Sequence, residues 1–530
     1  MVMPSPPAKY GGVWLVFALV IVWKVLLFSF SAQPVPSNDA YFYDGAVVNQ
    51  LHHGGYFNPT IARAMPISGK RVFSAYPPLY QALLWLWMSA FGTSAISAMA
   101  LHLVLFAAYA LTVLAILYRL QMPVWCIHIA GFYLFLLTFH DRPDSLAHLL
   151  GMLAVYSWIR SRRNLDLGAA PLPVPWVWAM VAFTILALCT SLQIGAIYFL
   201  WIWIGMLATS LAGGEKFPLI PMSMLLIVPV VLVAAVRIGF PELWDGFMEH
   251  ARQTPSLTGW RMPTIPEVLK VLRTTPGILF VAITLPGSWL KQHNNVATAE
   301  YARFELILIP ALLSALAVVA ACLFLLTANT VAIANYLQPV IVACYLAFCG
   351  TLFAGNRWLR LQITGLWLAV LLGSIRAIGM STWGLACAAD VGYPTAIHRV
   401  EQELSTVPPG AAVVLSSAFL YEASKYNDLT VIHSDWMQKA KANPPISDLQ
   451  ALLALKPRKV ILTQFDYYRR YQPTLDQLKS DPSLKDIQII NVARVRPPDA
   501  FPSLQRVVQH VSWAPIIVNL FWADPSQPGR

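Results

Sequence analysis

Charge is what this chain has least of. Of its 530 residues only 12% are Asp, Glu, Lys or Arg, while 57% are hydrophobic. A soluble domain carries about 25% charged residues. The shortage excludes one soluble core and points to an integral membrane protein with a polar remainder. Cysteine is also scarce, at 126, 189, 322, 344, 349 and 387. All but Cys387 lie in or beside apolar runs, so no disulfide framework is built. The sequence has no Gly-rich phosphate loop, no dinucleotide fingerprint and no repeat of fixed period. Acids are fewer than bases, 25 against 36, which gives a formal charge of +11. The basic residues are scattered, which argues against a nucleic-acid partner. Cytoplasmic loops and an anionic lipid substrate account for them better.

Long apolar runs are what the chain does have. A spanning helix needs about 20 mostly apolar residues. Runs near 13–31, 94–117, 122–139, 145–159, 174–190, 193–212, 217–236, 277–290, 304–326, 330–353 and 361–379 predict eleven spans. The first run exceeds the roughly 7–15 apolar residues of a signal peptide, so it reads as an uncleaved helix. Lys24 lies inside it, either snorkelling or serving an intramembrane role. Residues 78–92 are apolar but too short to span, and fit a helix lying in the interface. The 19 Trp residues suit lipid–water boundaries.

Arg119, "RSRRN" (160–164) and "NRWLR" (356–360) follow even-numbered spans. This places the N-terminus in the cytoplasm and the odd-numbered exits outside. Three segments then face out: 32–93, 237–276 and the tail. The second of these reads as two short amphipathic helices. In the tail, "PTAIHRVEQELSTV", "SDLQALLAL" and "YYRRYQPTLDQLKSD" read as helices. "GAAVVLSS", "LTVIHSD", "RKVILTQ" and "DIQIINVARV" read as strands. Such alternation predicts a small α/β domain with a largely parallel sheet. The expected architecture is mainly α: a polytopic helical bundle over 1–384 and an extracytoplasmic α/β domain over 385–530.

Three external stretches carry the chemistry. "VPSNDAYFYDGAVVNQLHHGGYF" (35–57) sets Asp39 just outside the first span. Asp39 suits either a general base for an attacking hydroxyl or a helix cap. Asp44 lies five positions on, a poor match for one helical face. "FHDRPDSLAHLL" (139–150) packs His140, Asp141, Arg142 and Asp144 into one turn. Asp144 suits a helix N-terminus. A second acid with a cation in the Asp39 cavity is the other reading. His140 with Asp141 leaves a divalent metal open, but two ligands do not define a site. "GKRVFSAYPPLYQALL" (69–84) offers Lys70 and Arg71 as phosphate partners. Its "YPPLY", starting at Tyr76, makes a rigid turn with membrane-anchoring tyrosines.

The order of these stretches resembles the polytopic GT-C glycosyltransferases. The match is with the bacterial branch related to dolichyl-phosphate-mannose protein mannosyltransferases and aminoarabinose transferases. It is carried by an apolar helix, an Asp with nearby tyrosines, "GG", "YPPLY", a short apolar helix, "FG" and then "RPDSLA". "ANYLQPVIVACY" (334–345) resembles the family's Arg-Tyr-x-x-Pro stretch, with Asn335 in place of Arg. Ala40 stands where many relatives have Glu. The resemblance implies an inverting transfer of a sugar from a polyprenyl-phosphate carrier to an acceptor hydroxyl outside a bacterial plasma membrane. It implies Asp39 as the base and Asp141 or Asp144 as the second acid. Lys70, Arg71, Arg142, Arg252 and Arg261 are the external cations for the lipid phosphate, so no cofactor is expected. Tyr76 and His140 complete the substrate-binding candidates. The expected partners are the lipid-linked donor, a lipid, glycan or protein acceptor, and the bilayer. A transporter or flippase of lipid-linked sugars is the rival reading, although no internal symmetry of the transporter kind is visible.

Overall fold

The computed structural model describes residues 11–30, 40–62, 65–119, 127–128, 131, 134, 142–162, 174–213, 219–253, 393–415, 419–426, 430–433, 459–462, 488–491 and 519–523. The spans expected at 277–290, 304–326, 330–353 and 361–379 lie outside these residues. So do the tail helices expected from "SDLQALLAL" and "YYRRYQPTLDQLKSD".

Several of the predicted apolar runs lie in helices, and short helices join them. These are α1 (Gly11–Phe30), a short α2 (Ala40–Tyr43), α3 (Gly45–His53), α4 (Pro66–Lys70), α5 (Leu79–Phe91) and α6 (Ala95–Arg119). They are followed by α7 (Asp144–Arg162), α8 (Val174–Leu188), α9 (Leu192–Gly213), α10 (Leu219–Gly239) and α11 (Pro241–Gln253). Among the described residues, two helices are long and apolar enough to cross a membrane: Ala95–Tyr118 and Leu219–Gly239. Shorter apolar helices occupy Trp14–Val25, Leu79–Phe91, Pro175–Leu188 and Leu192–Trp203. α7 packs against α6, α8 and α9 and buries Trp158, while α9 buries Tyr198 and Trp201. α10 keeps Leu219, Ile220, Val230 and Val231 on its outside. An apolar outer face of this kind suits lipid rather than water.

α5 is two-sided. Tyr80, Gln81, Leu84 and Met88 are buried, while Trp85, Leu86 and Phe91 are exposed. That is the pattern expected of a helix lying in the interface. Gly92, at φ 89°, ends it in a conformation that favours glycine. α11 comes from the second long loop and packs on α4. Its Glu249 carboxylate accepts from the Ile67 and Ser68 amides, each at 3.2 Å. These are donors that the first turn of α4 leaves unmade.

The tail opens with α12 (Tyr393–Ser405). A five-stranded sheet follows, built from β1 (Ala412–Leu415), β2 (Thr430–His433), β3 (Lys459–Leu462), β4 (Gln488–Asn491) and β5 (Asn519–Ala523). The strand order is β2-β1-β3-β5-β4. β1 pairs in parallel with β2 and β3, in register Val414↔Ile432 and Val414↔Val460. β5 pairs antiparallel with β3 and β4. The expected largely parallel sheet is thus a mixed one. The sequence pattern predicts four strands; a fifth, "NLFWA" (519–523), inserts between β3 and β4 and reverses direction there. A short helix, α13 (Leu420–Ala423), follows β1 and carries the buried Tyr421.

Candidate functional site

The loop between α1 and α5 folds on itself before it meets anything else. Asn58 is fully buried. Its Oδ1 accepts from the Thr60 amide at 3.2 Å and the Thr60 hydroxyl at 2.6 Å. Its Nδ2 donates to the Phe42 carbonyl at 3.3 Å. A Cβ on Gly45 would stand 2.5 Å from that amide nitrogen, so the start of α3 requires glycine for this close approach. α3 closes at Gly54, and the Asn49 amide donates to the Gly55 carbonyl at 2.7 Å. The "GG" of the sequence is therefore a helix stop. It turns the chain towards Tyr56, whose carbonyl accepts from the Phe73 amide at 2.8 Å. Burial pushes the Tyr56 phenol above its ordinary range.

Asp44 stands at the N-cap position of α3 but its side chain does not cap the helix. The carboxylate is fully buried. It accepts from the Tyr80 hydroxyl at 3.2 Å and the Tyr421 hydroxyl at 2.9 Å. Tyr80 Oη lies 3.0 Å from His102 Nε2, and His102 Nδ1 lies 2.9 Å from Ser145 Oγ. Ser145 Oγ donates to the Arg142 carbonyl at 3.1 Å, and the Arg142 guanidinium donates to Tyr43 Oη at 3.2 Å. Tyr43 precedes Asp44 in the chain, so the hydrogen bonds form a closed ring. The ring joins the loop between α1 and α5, α5 itself, α6, the start of α7 and the turn before it. A buried network whose members are partnered specifies one arrangement of its side chains.

Arg142 is the cation at this centre. Its Nε lies 3.0 Å from the Asp144 carboxylate, with both side chains 18% exposed. The guanidinium also sits 5.5 Å from the Tyr43 ring centroid. Asp144 is the first residue of α7, where a carboxylate is favoured by the helix dipole. Aromatic rings wall the neighbourhood. Tyr43 meets Tyr76 at 4.8 Å, Phe42 meets Tyr76 at 5.9 Å, and His250 of α11 lies 5.2 Å from both Phe42 and Tyr76. An arginine held by a carboxylate, a phenol and a ring face is pre-oriented for a planar anion such as phosphate.

The structure brings together Arg142 and Tyr76 through their contacts with Tyr43, and Asp144 through its ion pair with Arg142. Lys70 and Arg71 sit at the exposed end of α4, where Arg71 pairs with Glu242 at 3.7 Å. Arg252 lies on α11. Asp39, His140, Asp141 and Arg261 lie outside the described residues. Asp44, Tyr80, His102 and Tyr421 were missed by sequence reasoning. The spacing of Asp44 from Asp39 suits no single helical face and argues against paired work by the two acids, but the partners of Asp44 come from other elements. Among the described residues no group of three or more His, Cys, Asp or Glu side chains is placed to hold a metal ion.

The α/β unit reaches the same loop at a second point. His52 Nδ1 and His53 Nε2 approach the Ser424 carbonyl at 3.2 and 2.7 Å. Burial lowers the His52 imidazole from its ordinary value. Burial also pushes the Glu422 carboxyl up to about 7. Glu401 holds the Lys425 ammonium, by a direct hydrogen bond, above its usual range.

No family model and no curated protein matches the chain. Solved structures do. The crystal structure of ArnT from Cupriavidus metallidurans bound to undecaprenyl phosphate matches with a TM-score of 0.57 at 13% identity, covering 99% of this chain and 100% of that one. The apo state of the same protein gives a TM-score of 0.48 at 14% identity with the same coverage. ArnT is an aminoarabinose transferase of GT-C type. The chain therefore has an ArnT-like fold along its length, and this is the fold that its sequence resemblance implied.

Proposed function

We propose that this protein is a membrane glycosyltransferase. It moves a sugar from a polyprenyl-phosphate carrier to an acceptor hydroxyl on an envelope lipid, glycan or protein at the outer face of the membrane. The end-to-end likeness of fold to an ArnT structure bound to undecaprenyl phosphate supports this reading. In the proposed arrangement the chain spans the membrane eleven times, with its N-terminus in the cytoplasm and its α/β tail outside.

The chemistry follows from the groups at the loops. Asp39 takes the proton of the acceptor hydroxyl as its oxygen attacks the anomeric carbon, which inverts. The bond from that carbon to the carrier phosphate breaks, and the electron pair leaves with the phosphate oxygen. Arg142 meets the charge that grows on that phosphate, since Asp144 and Tyr43 already orient its guanidinium. Holding donor and acceptor in line supplies much of the rate.

The test is complementation of a deletion strain with wild type or Asp39→Asn, matched for membrane insertion, with envelope glycolipids and glycoproteins read by mass spectrometry. The expected result is a whole-sugar mass increment restored by wild type and lost in Asp39→Asn. Equal restoration by Asp39→Asn removes Asp39 as the base. Accumulation of untransferred lipid-linked sugar on the inner face would instead identify a flippase.

A further inference from the structure

The α/β unit touches the membrane-side loops through a hydroxyl aimed at a buried charge, not only through docking contacts. Tyr421 sits on α13, a four-residue helix with Leu420, Tyr421 and Ala423 all buried. Its hydroxyl donates 2.9 Å to Asp44 Oδ2, across 377 positions of sequence. Tyr80 donates to the other oxygen of the same carboxylate. A carboxylate gripped on both oxygens is fixed in rotation as well as in place. From Tyr80 the contacts run through His102 and Ser145 to the Arg142 carbonyl, and Arg142 returns through its guanidinium to Tyr43.

We propose that the α/β unit is a working part of the site: Tyr421 is a positioning residue that clamps Asp44 and, through Tyr80, His102 and Ser145, sets the Arg142 guanidinium. Tyr421 touches no reacting atom in this arrangement. Its hydroxyl closes the clamp only while α13 is docked. A correctly seated tail is thereby coupled to a correctly aimed arginine. The functional consequence rests on the reading of Arg142 as the partner of the carrier phosphate, whereas the coupling itself does not.

The experiment uses the full chain in nanodiscs with three proteins: wild type, Tyr421→Phe and His53→Ala. Tyr421→Phe keeps the buried ring and removes only the hydroxyl. His53→Ala removes a docking bond to the Ser424 carbonyl that is not part of the ring. Amide hydrogen exchange is read on peptides covering 142–150 and 419–426, without ligand. Undecaprenyl phosphate is then the binding probe.

Tyr421→Phe is expected to speed exchange in 142–150 and to weaken probe binding about 3- to 10-fold, the net scale of losing one ordinary hydrogen bond, because the lost bond acts on the probe only through Arg142. His53→Ala is expected to speed exchange in 419–426 and leave 142–150 as in wild type. Unchanged exchange in 142–150 of Tyr421→Phe overturns the coupling. Equal effects of the two variants there overturn it as well, because docking alone would then explain both. If wild type fails to bind undecaprenyl phosphate, the carrier-lipid reading falls, and the exchange data still decide the clamp.

Discussion

Docking of the α/β unit should weaken as pH rises from about 4.3 towards neutrality, and Glu422 should be the reason. Its Oε2 is buried and has no hydrogen-bond partner. Burial is the largest influence and raises the carboxyl to about 7, with the nearby Lys425 pulling it down and Glu401 adding to the rise. When α13 lifts off, the group returns to water and to a value of about 4.3. Between these values the docked state binds more protons than the open one, so docking loses stability with increasing pH. The contribution is intact below about pH 4.3, declines up to about pH 7 and is level above it. A shift of this size corresponds to about 4 kcal/mol, or a few hundredfold (roughly 10²–10³) in the opening equilibrium.

His52 acts with the opposite sign. Its lowered value means that docking is favoured above its ordinary range near pH 6.5 and weakened as pH falls below it. Glu422→Gln isolates the first effect, because it keeps the shape and removes the ionisation. The assay is hydrogen exchange of peptides covering 412–426 at pH 5 and pH 8, corrected for intrinsic rates. Wild type should open a few hundredfold (roughly 10²–10³) more readily at pH 8 than Glu422→Gln does, while the two converge at low pH. Parallel pH slopes in the two proteins would refute the assignment.

Other outcomes follow from single contacts. Gly69→Ala places a Cβ 2.1 Å from the Ala62 Cα, a backbone atom that cannot rotate aside. We expect a loss of about 1–3 kcal/mol, read as a lower thermal midpoint. Glu249→Gln keeps the volume of the cap on α4 but removes its charge. It should raise exchange across 66–71 at a cost of about 1 kcal/mol, and unchanged exchange would show that α11 does not hold that helix. Arg142→Ala should weaken undecaprenyl phosphate binding at least about tenfold, and Arg142→Lys should recover only part of it, because an ammonium lacks the planar fork.

Local patterning made much of the bundle legible. The apolar runs near 94–117, 193–212 and 217–236 reappear as the helices α6, α9 and α10 within a few residues, and α6 and α10 are long and apolar enough to cross a membrane. Each is an uninterrupted apolar run, and such a run has few alternatives to a helix in lipid. The short apolar helix α5 and the first four strands were readable for the same local reasons. β5 was not, because five residues near the chain end carry no distinctive period and owe their strand to the neighbours they pair with.

The site divides along the same line. The turn "RPDSLA" and the tyrosines beside the first loop mark the place, since charge is costly in so apolar a chain and stays where it has work or water. Which side chains meet there was decided only by tertiary structure. Asp44 finds Tyr80 at a separation of 36 positions and Tyr421 at 377. No periodicity spans such distances. Hydrophobic burial places the helices, and the buried carboxylate then accepts hydrogen bonds from whichever donors that packing brings within reach.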